Sequence, residues 1–171
     1  MLLDLRSLVE RRAPRPTWPD SARIDAALLA KLRQDSVLTA LLPGGIWFDL
    51  APPDVTAYGI VSLAMHDDVA VFGRRAWEDT LYLVKAVVRM PGPARAAAAR
   101  IDELLEDGTL AIAGFALMAL ERELRLRLNE TDPERGDRWQ QRGGYYRLQA
   151  SIDPMGLTRD RPQRATKGAR S

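Results

Sequence analysis

Residues 77–90, Trp-Glu-Asp-Thr-Leu-Tyr-Leu-Val-Lys-Ala-Val-Val-Arg-Met, carry apolar side chains in both phases of a two-residue repeat. Leu81, Leu83 and Val87 fall in one phase, and Tyr82, Val84, Ala86 and Val88 in the other. Successive side chains of a strand point to opposite faces, so this segment has to be covered on both, by helices or by another subunit. It reads as a central strand, and the rest of the chain has to supply its neighbours. Residues 56–66 are a second long strand candidate, joined to it through Asp67–Ala76, which holds Gly73 and reads as a long hairpin loop.

Residues 116–129 set two signals against each other. Their Ala, Leu, Met, Glu and Arg favour helix. Yet Ala116, Met118, Leu120, Leu124, Leu126 and Leu128 share one parity, while Glu121, Glu123, Arg125 and Arg127 share the other, with Arg122 breaking the pattern. A period of two held that long argues strand. Tyr146, Leu148, Ala150 and Ile152 repeat the alternation, so the two segments pair as an antiparallel hairpin around a polar loop at 130–143. Ile46–Leu50, between Pro43-Gly44-Gly45 and Ala51-Pro-Pro-Asp54, is a short strand.

Helical spacing occupies the intervals. Leu2, Leu5, Leu8 and Val9 mark a short helix over 2–12, tethered by Pro14, Pro16 and Pro19 with Trp18 among them. Such a helix is either docked on its own domain or offered to a neighbour. Asp20 or Ser21 can cap a helix in which Ile24, Leu28 and Leu32 share a face, and Asp35 or Ser36 restarts a short one through Leu42. Pro93 can open a helix running to about Asp107, with Ala97, Ile101, Leu104 and Leu105 as its buried face and Gly108 as its stop. The order is helix, helix, three strands, helix, a short strand and a hairpin. The expected fold is a single α+β domain over 21–152, a mainly antiparallel or mixed sheet of four to six strands packed against helices. Residues 1–20 are an N-terminal extension, and 153–171 a basic tail without periodicity, expected to be mobile.

Composition narrows the chemistry. The 171 residues suit one domain, and they include one His and no Cys. That removes disulfides, thiolate nucleophiles, Cys-based metal sites and any two-histidine metal site within one chain. No stretch approaches a membrane span, and the start lacks a secretory pattern. The sequence pI of 9.2 overstates the basic character. Arg159, Arg161, Arg164, Lys167 and Arg170 against Asp153 and Asp160 give the tail +3, which leaves −1 for the other 152 residues. Of the 25 basic residues 22 are Arg, which reflects either base composition or an Arg-rich interface.

No chemical site assembles from spacing. His66 precedes Asp67 and Asp68, which invites a metal or general-base reading, but neighbours on a strand diverge, and the trio reads as a strand end meeting solvent. Ser62 has no G-x-S-x-G context. Glu121 and Glu123 have the spacing of a carboxylate pair, but Arg125 and Arg127 continue their face, so a charge ladder is the simpler reading. Gly44-Gly45 and Gly143-Gly144 lack phosphate-loop context and read as turns before strands. The tail's five charges, without interleaved aromatics, are a weak nucleic-acid signal. No catalytic, metal-ligating or cofactor-binding residue is assigned. The segment 67–77 is different, because it combines Val69, Val71, Phe72 and Trp77 with Arg74 and Arg75. That mixture is the chemistry of a protein–protein interface.

The element order resembles a known family. A helix Asp25-Ala-Ala-Leu-Leu-Ala-Lys-Leu-Arg-Gln-Asp-Ser-Val-Leu-Thr-Ala-Leu-Leu leads to Gly45-Ile-Trp-Phe-Asp, then Ala51-Pro-Pro-Asp and Ala57-Tyr-Gly-Ile-Val-Ser-Leu. The strand Trp77–Val88, the helix Ala94–Leu105 and a hairpin ending Tyr145-Tyr-Arg-Leu follow. Residues 22–152 resemble the tail-completion family of long-tailed bacteriophages, similar in fold to lambda-type tail terminator proteins. The resemblance implies no enzyme and no cofactor. It implies a virion protein present in the host cytoplasm during assembly, a ring of six copies that stops tail-tube growth and joins the head connector, with DNA passing through its lumen. Closing such a ring takes two complementary patches per subunit. Phe72, Arg74, Arg75 and Trp77, and then Trp47 and Phe48, are the expected interface residues. Alternatives are another neck component, a nucleic-acid-binding accessory protein acting through the tail, and a small enzyme using His66.

Overall fold

The computed structural model describes residues 18–90 and 92–152, so the expected helix at 2–12 and the basic tail lie outside the described residues. The elements are α1 (Ala22–Gln34), α2 (Ser36–Leu41), β1 (Ile46–Phe48), β2 (Ala57–Val71), β3 (Arg74–Arg89), α3 (Ala94–Leu105), β4 (Phe115–Thr131) and β5 (Arg138–Ile152). They form the expected α+β arrangement. One five-stranded sheet has the order β1-β2-β3-β5-β4, with β1 parallel to β2 and every other pair antiparallel. The doubly apolar segment is the middle strand. The segment 116–129 is strand, so periodicity prevails over helix propensity there.

The three helices cover one face of the sheet. Ile24, Leu28 and Leu32 of α1, Leu38 of α2 and Ala97, Ile101 and Leu105 of α3 pack on Val61, Tyr82, Val84, Ala86, Tyr146 and Leu148. Each buried Leu or Ile contributes roughly 1.5–3 kcal/mol. Tyr82 and Tyr146 carry a hydroxyl into this layer, and each needs a partner there. Tyr82 donates to Asp25 at 2.5 Å and Tyr146 donates to Asp102. Burial, reinforced by these carboxylates, holds both phenols protonated far above their usual range. Asp35 caps α2, accepting from the Leu38 amide at 2.7 Å, and also takes Arg100 of α3 at 2.6 and 3.0 Å. The guanidinium holds the Asp35 carboxyl below its ordinary pKa and ties the two helices together.

Among the described residues, no helix lies over the second face of β3. The register puts Leu81, Leu83 and Val87 there, opposite Arg147, Tyr145 and Gln141 of β5. Ile60 and Val87 are buried but stand outside the helix-covered core. Among the described residues, helices supply one of the two covers expected for β3.

Several sequence expectations change. The hairpin loop at 67–76 is strand, because Val69 and Val71 continue the extended chain and Phe72-Gly73 alone makes the turn. The loop at 130–143 shrinks to 132–137, and the polar run Gln140-Gln141-Arg142 belongs to β5. The short strand before the closing hairpin reduces to a single bridge between Ile112 and Phe115. In β4, irregularities between Leu117 and Ala119 and between Arg122 and Leu124 shift the phase. Leu120 is therefore buried with the helices, while Leu124 and Leu128 are exposed on the open side.

Gly143-Gly144 is also no turn; both glycines lie inside β5. A Cβ on Gly143 would stand 2.0 Å from the Val84 carbonyl oxygen and 2.7 Å from Lys85 Cα. The neighbouring backbone comes too close for any side chain. Gly143→Ala is expected to cost about 1–3 kcal/mol, as other forced overpacking does, measured as a fall in the urea midpoint. The same substitution at Gly136, where a Cβ meets nothing within 4 Å but φ is 69°, serves as the comparison for strain without collision.

Candidate assembly surface

The β2–β3 hairpin outruns its neighbours, on the β2 side beyond Val61 and on the β3 side, where β5 ends its pairing at Trp77, only at the tip. Its pairing continues from Ala57 opposite Val88 to Val71 opposite Arg74, whereas β1 pairs only with Gly59, Ile60 and Val61. From Leu63 to Asp68 every residue of β2 is exposed, on both faces of the strand. At the tip, Phe72 and Gly73 have φ of 52° and 71°. Two left-handed residues in a row suit the right-handed twist of a hairpin, and Asn-Gly is the usual choice. Phe72 is a bulky side chain in that conformation, and it is wholly exposed. Arg74 beside it is exposed as well.

Behind the tip, three strand positions converge that sequence spacing had kept apart. His66 Nε2 lies 3.3 Å from Glu78 Oε2 and 3.6 Å from Asp68 Oδ1. The comparison that matters for His66 is Asp68, two residues on along one face, and Glu78 across the hairpin, rather than the adjacent Asp67. His66 meets solvent as expected, but from inside β2 rather than at a strand end. The three groups could bracket a cation, but Arg75 already supplies one: its Nη2 lies 2.5 Å from Asp68 Oδ1 and 2.6 Å from Glu78 Oε1. The Arg75 guanidinium also stacks on Trp18, 4.2 Å from the ring centroid. Glu78 is completely buried, and desolvation pushes its carboxyl above the ordinary range against the pull of Arg75 and His66. The cluster reads as an internal charge network that stiffens the hairpin base.

The other expected interface residues divide. Trp77 is half-buried on the open sheet face. Trp47 folds back on its own turn, donating from Nε1 to the Gly44 carbonyl at 2.7 Å beneath Arg33, and Phe48 packs against the core. Neither Trp47 nor Phe48 presents its ring the way Phe72 does. The open face carries Met65, Leu124 and Leu128 exposed, with Leu81, Leu83 and Tyr145 half-buried. At one end of it Arg147 bridges Asp79, at 2.8 Å to each oxygen, and Glu123. The expected ladder along β4 is therefore a cross-strand network. Arg122 is drawn instead to Asp102 at 2.7 Å. Sequence reasoning missed the open face because the β4 irregularities conceal which leucines share it.

Among the described residues the sheet carries helices on one face only, and its β2–β3 hairpin ends in the exposed Phe72. A chain of the "Virion of native gene transfer agent (GTA) particle" shares the fold, with a TM-score of 0.55 and 23% identity over 79% of this chain and 99% of that one. A second solved chain matches with a TM-score of 0.51 and 16% identity over 78% of this chain and 96% of that one. No curated protein matches the sequence. Residues 26–142 match the family described as tail completion protein gp17, and the chain belongs to that family. It is a structural protein of a phage-type tail.

Proposed function

We propose that this protein is a tail terminator, a subunit that closes into a ring on the end of the tail tube, stops its growth and provides the joint to the head connector. Family membership supports a tail role, and the observation that carries the ring is the overhanging hairpin with Phe72 at its tip. A strand exposed on both faces and a wholly exposed aromatic in a left-handed turn are costly in an isolated subunit and useful in a packed one. Phe72 and Arg74 form one patch, with Arg75 and Trp77 bracing it from behind. The open sheet face, with Met65, Leu124 and Leu128 exposed, offers an apolar complement. Two different patches on one subunit give a head-to-tail contact, which closes only by rotation.

Mass measurement combined with electron microscopy of the purified protein tests the reading. The expected result is a discrete ring, six-membered by resemblance to the family, with a lumen wide enough for duplex DNA. A protein that stays monomeric at assembly concentrations and never caps tail tubes would overturn it.

A further inference from the structure

The helix-covered side of the sheet carries a second feature, away from the tip of the β2–β3 hairpin. Arg95 of α3, Arg125 and Arg127 of β4 and Arg142 of β5 line one open groove of about 390 Å³. The strand register sets Arg127 directly opposite Arg142. Like charges facing each other across a ladder are destabilising, so this pairing costs the fold something. Arg142 is fixed in place by neutral acceptors: the Leu128 carbonyl at 2.7 Å, the Gln141 carbonyl at 2.9 Å and Asn129 Oδ1 at 2.8 Å. Desolvation, with Arg127 and Arg95 close by, pulls its pKa below the usual guanidinium value.

Among the described residues the only carboxylate lining the groove is Asp102, and it is already engaged by Arg122 at 2.7 Å and by the Tyr146 hydroxyl. Arg125 reaches it only at 3.9 Å. Four guanidiniums thus share one groove with a single carboxylate, which Arg122 already holds. Between them the floor is Ala98, Ala99 and Gly143, short enough for a ligand to approach the backbone. A single carboxylate would leave most of this charge unmatched. A phosphate group carries about −1.5 to −2 at neutral pH with at least three acceptor oxygens, and guanidinium forks match that geometry.

We propose that this groove is a phosphate-binding site, formed by Arg95, Arg125, Arg127 and Arg142. The phosphate is either free or part of a nucleic-acid backbone, and the two sources are separable. In the first arm, thermal unfolding of the full chain is followed as inorganic phosphate replaces chloride at constant ionic strength. The midpoint is expected to rise with phosphate, and Arg127→Gln or Arg95→Gln to weaken the phosphate affinity by about tenfold or more. Arg127→Gln should also raise the midpoint in chloride, since it removes the cross-strand repulsion, and a merely misfolded variant would lower it. In the second arm, duplex DNA is titrated by fluorescence anisotropy. Binding whose log–log salt slope falls by about one unit in Arg127→Gln identifies the backbone phosphate as the source. Stabilisation by inorganic phosphate, without a groove-dependent duplex signal, identifies free phosphate. Phosphate and chloride acting alike, or a phosphate effect unchanged in both Arg variants, would overturn the site.

Discussion

Phe72→Asn is expected to leave a folded, slightly more stable subunit that no longer associates with itself. The two halves of this outcome have separate causes. At φ 52° a Phe is in the left-handed region, which costs an ordinary L-residue roughly 1–2 kcal/mol and which Asn tolerates well. The Phe72 ring touches solvent on all sides, so its loss takes nothing from the subunit's own core. Thermal unfolding should therefore move up, not down. Association moves the other way. A buried aromatic anchor at a hot spot is worth about 2 kcal/mol or more, roughly a 30-fold loss at each contact. In a closed ring every subunit lacks the same anchor, and the ring population collapses. Light scattering across a concentration series reads this directly. A variant that assembles at the wild-type concentration removes Phe72 from the interface, whatever its effect on stability.

That the tip residue is the sharpest prediction says something about what the sequence made legible. Central placement of β3 followed from Leu81, Leu83 and Val87 alternating with Tyr82, Val84 and Ala86, because two-sided burial leaves few alternatives. Helix phases were equally plain, since Ile24, Leu28 and Leu32 can share only one face. The overhanging hairpin was hidden for a physical reason. Where a strand runs past its covering layer, selection for an apolar face ceases, and His66-Asp67-Asp68 has the composition of a loop. Gly143-Gly144 misled in the same way, since a close backbone approach inside a sheet and a turn demand the same residue type. The meeting of His66, Asp68 and Glu78 depends on the β2–β3 register, and that register includes irregularities between Leu63 and Met65 and between Val69 and Ala70. Spacing along the chain cannot supply those. The interface chemistry of Phe72, Arg74, Arg75 and Trp77 was visible as composition, but the division of labour was not. Phe72 and Arg74 point outward, whereas Arg75 is committed to Asp68 and Glu78.

The commitment of Arg75 makes it the residue whose loss the subunit should tolerate least. Arg75→Met keeps much of the side chain's bulk over Trp18 but leaves the completely buried Glu78 carboxylate without its closest cation. Breaking a buried pair from one side typically costs about 3–5 kcal/mol, chiefly because an uncompensated charge stays behind. The double variant Arg75→Met with Glu78→Gln should recover most of that loss, since it removes the stranded charge as well. Acid should do the same for the single variant. Burial already raises the folded-state pKa of Glu78 above the unfolded value, and loss of Arg75 raises it further. Between the unfolded and folded values the native state holds more protons than the unfolded one, so stability increases as pH falls through that window. The Arg75→Met deficit, measured by urea unfolding, should therefore shrink from pH 7 towards pH 5. A deficit that stays constant with pH and is not relieved by Glu78→Gln would mean that Arg75 acts through packing on Trp18 rather than through charge.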